Sequence, residues 1–85
     1  MGTKNSPGGF DCYENAEPDE PMFVLLARDE SAPTLIRLWC QLRAERKGVY
    51  PLYDDKASEA LACASAMERW RAEEALHTEG EGATE

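Results

Sequence analysis

Five cations pose the first chemical question. Arg28, Arg37, Arg43, Arg46 and Lys47 crowd into one stretch of an 85-residue chain whose net charge is −8. A guanidinium presents a planar fork that grips phosphate or carboxylate through two hydrogen bonds. Tyr13, Trp39, Tyr50 and Tyr53 add ring faces on which a base can stack. Cations and rings together describe a site for a small anionic, nucleotide-like ligand. The plainer reading is that Arg and Lys near a helix C-terminus complement its dipole and pair with nearby acids.

Other reactive constellations are weaker. The carboxylate pairs Asp19/Glu20, Asp29/Glu30, Asp54/Asp55 and Glu73/Glu74 lie in polar surroundings. General acid–base work needs a carboxyl in an apolar setting, and no EF-hand spacing offers a Ca²⁺ or Mg²⁺ loop. Cys12, Cys40 and Cys63 are odd in number and lack CxxC or Cys/His ligand spacing; Cys40 and Cys63 read as small buried hydrophobes. His77 is the sole histidine and adjoins a polar tail, so no Ser/His or Cys/His pair is indicated. The sequence therefore points to no catalytic residues, no metal, no cofactor and no enzyme. Met1-Gly-Thr-Lys-Asn-Ser6 matches the loose myristoylation pattern, but nothing else in the chain points to a membrane.

These residues need elements to position them. The ends, 1–9 and 78–85, are rich in Gly, Ser, Thr and charge and are expected to be disordered. One small helical domain is expected over 10–77. Residues 31–47 read as its central helix: Ser31 as N-cap, Pro33 in the first turn, Gly48 ending it, and a stripe of Leu35, Leu38, Trp39 and Leu42. That stripe is expected to hold the core, so Leu38→Asp is expected to unfold the chain and Arg43→Ala to leave it folded. A second long helix, 55–76, starts at Asp54 or Asp55 and carries Ala57, Ala60, Leu61, Ala64, Met67 and Arg71 on one face. Its alanines permit close approach of the two helices. Trp70 and Met67 are the candidate interface, because one hairpin can hardly cover Trp70. Pro21 opens a short helix near 21–29, with a buried strand as the rival reading of this apolar run. Phe10–Tyr13 reads as an extended segment or aromatic anchor, and Val49–Tyr53 as a connection packed across the open end of the hairpin. The fold class expected is all-α, an antiparallel helical hairpin.

The acidic balance argues against general nucleic-acid binding and against anionic membrane surfaces. No apolar run approaches the length of a membrane span, and no secretory h-region follows the N-terminus, so a cytoplasmic setting is expected.

Phe10-Asp-Cys-Tyr-Glu-Asn-Ala16, Pro21-Met-Phe-Val-Leu-Leu-Ala-Arg-Asp29, Leu35-Ile-Arg-Leu-Trp39 and Glu59-Ala-Leu-Ala-Cys-Ala-Ser-Ala-Met-Glu-Arg-Trp70 resemble segments of small uncharacterised proteins of tailed bacteriophages and prophages. The resemblance implies a phage context, hence the host cytoplasm, and brings no activity with it. By analogy with small acidic phage proteins, stoichiometric binding is expected. The leading expectation is a counter-defence protein that sequesters a small anionic ligand in a homodimer or higher oligomer. The alternatives are an acidic inhibitor or adaptor that occupies a basic surface of a host protein, and a structural accessory without a ligand.

Overall fold

A computed structural model describes residues 1–77. Its elements in order are α1 (Cys12–Asn15), α2 (Ala32–Lys47), a 3₁₀ turn (Pro51–Tyr53) and α3 (Asp55–His77). Among the described residues the fold is all-α, and α2 and α3 form the expected antiparallel hairpin. The tail, 78–85, lies outside the described residues.

Local chemistry explains the ends of the long helices. Pro33 stands in the first turn of α2, where its missing N–H is not needed. Gly48 closes the helix in the left-handed region (φ 67°), its N–H bonding to the Ala44 carbonyl at 2.8 Å. A residue with a Cβ is strained there, so glycine is the natural stop. Ser31 occupies the N-cap position, but its hydroxyl makes no capping bond. Asp29 organises the entry instead: its carboxylate accepts from the Ser31 N–H at 2.9 Å and its carbonyl from the Ala32 N–H at 3.0 Å.

The seam between α2 and α3 is built from small side chains. Ala32, Cys40, Ala57, Ala60 and Ala64 are buried, with Ile36 and Leu61 half-buried beside Cys40, Ala57 and Ala60. The alanine face of α3 is thus where its spacing placed it. The expected core stripe of α2 is not. Leu35, Leu38, Trp39 and Leu42 are 44, 47, 36 and 51 % exposed, whereas Cys40 is 2 % exposed. At 3.6 residues per turn the stripe centres about 150° around α2 from Cys40. Size decides this. Alanines on α3 draw the backbones together only against a small partner face, which α2 offers at Ala32, Ile36, Cys40 and Ala44.

Residues 21–29 form no helix. Pro21 supplies no N–H, and so short a helix cannot offset its nucleation cost unless a surface receives its apolar face. The chain runs without regular structure to a turn closed by the Asp29 N–H on the Leu26 carbonyl, 2.9 Å. Leu25 and Ala27 are half-buried while Met22, Phe23, Val24 and Leu26 face outward. Arg71 Nη1 pins the segment by donating to the Arg28 carbonyl at 2.7 Å.

The N-terminal segment is not simply extended. Asp11 caps the single turn α1 by accepting from the Tyr13 N–H at 3.1 Å. Residues 1–9, expected to stand apart from the domain, fold back onto α3. Glu59 gathers the Met1 ammonium (2.9 Å) and the N–H groups of Gly9 and Phe10 (2.9 and 3.0 Å); the ammonium also donates to the Phe10 carbonyl at 2.6 Å. A Cβ on Gly8 would meet the Met1 carbonyl, so this loop needs glycine there.

Exposure inverts the expectation for Leu38. Leu38→Asp should leave helicity intact and shift unfolding free energy by about 0.5 kcal/mol or less, as surface changes do. Ala60→Leu, forced into the closed seam, should cost about 1–3 kcal/mol by overpacking. Urea unfolding followed by circular dichroism checks both.

Candidate functional site

The five cations of the sequence do not form one island. Arg37 projects from the middle of α2 and grips Glu68 of α3 with both Nη atoms, at 2.7 and 2.8 Å. That pair is exposed, and the Arg37 bond holds the Glu68 carboxyl below its ordinary range. Arg28 precedes α2, with its carbonyl engaged by Arg71. Arg46 and Lys47 are exposed in the last turn of α2, where their charge complements the helix dipole.

Arg43 is the most constrained of the five. Its Nε donates to Asp54 Oδ2 at 2.6 Å and its Nη2 to Oδ1 at 3.4 Å. The side chains of this pair are only 16 and 9 % exposed. The guanidinium also lies 5.4 Å from the Trp39 ring centroid, a cation–π distance. Asp54 therefore has two jobs. It anchors Arg43, and as the residue ahead of α3 it accepts from the Ala57 N–H. The hydrogen bond from Arg43 is the main reason its carboxyl lies below the ordinary range, followed in the same direction by Ala57 and the charges of Arg43 and Lys47.

The tyrosines separate as well. Tyr13 sits exposed on α1. Tyr50 precedes the 3₁₀ turn and Tyr53 ends it, with ring centroids 6.4 Å apart at 57°. The expectation that Val49–Tyr53 packs across the hairpin end is corrected in part: Val49 and Pro51 are half-buried, but Tyr50, Leu52 and Tyr53 face outward. At three residues per turn, successive side chains of a 3₁₀ turn point about 120° apart, so they cannot all face one way.

Two recesses open at this end. One of about 350 Å³ is lined by Phe10, Arg43, Lys47, Val49, Tyr53, Asp54, Asp55 and Lys56. It unites three of the expected ligand residues, Arg43, Lys47 and Tyr53, and adds Phe10 and Lys56. Lys56 escaped notice because it is isolated in an acidic stretch, and only the fold brings it to the recess that Lys47 also lines. A second of about 730 Å³ shares Val49 and runs along Cys40, Ala44, Tyr50 and Leu61, with Arg37 at its margin. Arg28, Arg46 and Tyr13 line neither. Of the expected interface pair, Trp70 is exposed on α3 and Met67 is half-buried. No group of His, Cys, Asp or Glu among the described residues is arranged to hold a metal, and no described helix is long and apolar enough to cross a membrane.

Asp54, Glu59 and Glu68 all have depressed carboxyl pKa values in the folded chain. A group of this kind stabilises the fold fully above its unfolded pKa, about 4. That stability is lost as pH falls through the lower folded values. Stability should therefore be flat from neutral pH to about 5 and fall below about 4. Asp54→Asn should lower the plateau and flatten the acid limb, and Arg43→Ala, which strands a sheltered carboxylate, should destabilise rather than be silent. Thermal melts from pH 7 to pH 3 test this. Against known proteins, no family model, no curated protein and no solved structure matches the chain.

Proposed function

We propose that the chain is a non-enzymatic binding protein that sequesters a small anionic, nucleotide-like ligand within an oligomer, acting in the cytoplasm as a phage-type counter-defence protein. One observation carries the reading: Lys47, Lys56 and Tyr53 face a single recess of about 350 Å³ beside Phe10. The recess is shallow and open to solvent, so a ligand there is held against the surface and not enclosed. The division of labour follows from the contacts. Arg43 is held by Asp54 and shapes the wall, so the two lysines supply the charge for a phosphate. Tyr53, 79 % exposed, supplies a stacking face, a contact worth about 1–3 kcal/mol per base. Three free cysteines are compatible with a reducing compartment.

A second reading, an acidic inhibitor or adaptor for a basic surface on a host protein, draws on the connector after α1. Glu14, Glu17, Asp19 and Glu20 are all exposed there. It predicts a complex lost at high salt.

Isothermal titration calorimetry against mononucleotides and cyclic dinucleotides separates the two. Sequestration predicts heat with at least one of them. Tyr53→Ala, or Lys47→Ala with Lys56→Ala, should weaken binding at least about tenfold, the equivalent of 1.4 kcal/mol. Absence of heat across the panel, with a salt-sensitive partner recovered from host lysate, would replace the first reading by the second.

A further inference from the structure

The outer face of α2 is patterned as an interface, yet the described residues leave it about half exposed. Leu35, Leu38, Trp39 and Leu42 recur at the i, i+3, i+4, i+7 spacing of a helix–helix seam and stand free of α3. Trp39 is already held in place by the Arg43 guanidinium, which is itself fixed by Asp54, so little side-chain freedom is left to lose on docking.

The charges at the two ends of the stripe say what covers it. Glu30 stands exposed just ahead of α2, and exposed Glu45, Arg46 and Lys47 leave its last turn with a net positive charge. A second α2 laid parallel would bring acid to acid and cation to cation. Laid antiparallel, it brings each acidic end to a basic end and opposes the two helix dipoles.

We propose that α2 pairs with α2 of a second copy of this chain, antiparallel, about a two-fold axis passing between Leu38 and Trp39. The register follows from that axis. Leu35 meets the partner's Leu42, Leu38 meets the partner's Trp39, and Glu30 comes beside the last turn of the partner's α2, where Arg46 lies on the side of the stripe. The contact is isologous, so it closes as a pair and does not propagate. Its size sets its strength. Four half-exposed side chains cover on the order of 300–400 Å² per protomer, below the roughly 800 Å² of a stable interface. Pairing is therefore reversible and concentration-dependent, and a larger assembly requires a further surface, for which exposed Trp70 is available. The inference specifies the assembly on which the proposed function relies, but it stands on the stripe and not on the recess.

Sedimentation equilibrium of the full chain over a concentration series should show a reversible monomer–dimer equilibrium. Leu38→Glu should shift it to monomer with the helical circular dichroism spectrum unchanged. For the register, a Cys12→Ser background carrying Leu35→Cys is mixed with one carrying Leu42→Cys and oxidised. Antiparallel pairing predicts disulfide-linked dimers in the mixture and few in either variant alone. A chain monomeric at every concentration, a dimer undisturbed by Leu38→Glu, or Leu35→Cys linking chiefly to itself would each overturn the proposal. Nucleotide heat from a strictly monomeric chain would leave the recess standing while removing this pairing, and a dimer without heat would do the reverse.

Discussion

The close approach of α2 and α3 is the constraint on which the rest of the structure depends. With Ala57, Ala60 and Ala64 on one side and Ala32 and Cys40 on the other, the seam buries little apolar volume per residue. Such a seam depends on short interhelical distance and on tight packing, because each small side chain contributes little burial alone. Distance must then be kept by something other than large side chains. The Arg43–Asp54 pair sits near the turn end, the Arg37–Glu68 fork toward the other end, and the Cys40 Sγ lies 3.6 Å from the Ala57 carbonyl between them. Together they fix how far one helix can slide along the other.

This economy has consequences at the surface. A hairpin that closes on alanine leaves its leucines and tryptophans outside. Leu35, Leu38, Trp39 and Leu42 on α2, Trp70 on α3, and Phe23 in the segment before α2 all face outward. For so small a chain, assembly is the usual way to supplement a limited core. The N-terminal loop makes a smaller supplement. Glu59 collects three donors from Met1, Gly9 and Phe10, and this brings Phe10 to the rim of the recess that also holds Lys47, Tyr53 and Lys56.

Charge is spent in a similar way. Arg37 and Arg43, two of the five cations expected to meet an anionic ligand, are engaged by Glu68 and Asp54 and serve the hairpin. Lys47 and Lys56, set against Asp55, are left to give the recess its net positive charge. A lysine ammonium is a flexible point charge and not a fork, so orientation in that recess falls to the Tyr53 ring more than to bidentate bonds.

The two long helices, the Pro33 and Gly48 ends of α2 and the alanine face of α3 were determined by local sequence, whereas the helix expected near 21–29 did not form. Pro33 and Gly48 act through their own backbone limits, and alanine at helical spacing permits close approach whatever it packs against. The face that α2 buries was not legible. Amphipathic periodicity shows that Leu35, Leu38, Trp39 and Leu42 form a stripe, but it cannot show which neighbour the stripe meets; the small residues of α3 decided that by matching Cys40. The island of cations failed for a related reason. Adjacency in sequence put Arg37, Arg43 and Lys47 together, while acids from α3 and its entry, far along the chain, neutralised the first two. Lys56 joined Lys47 only because the hairpin turned back. Local backbone chemistry is written residue by residue, whereas the choice between a core face and a free face depends on which partner arrives, and only the tertiary structure supplies the partner.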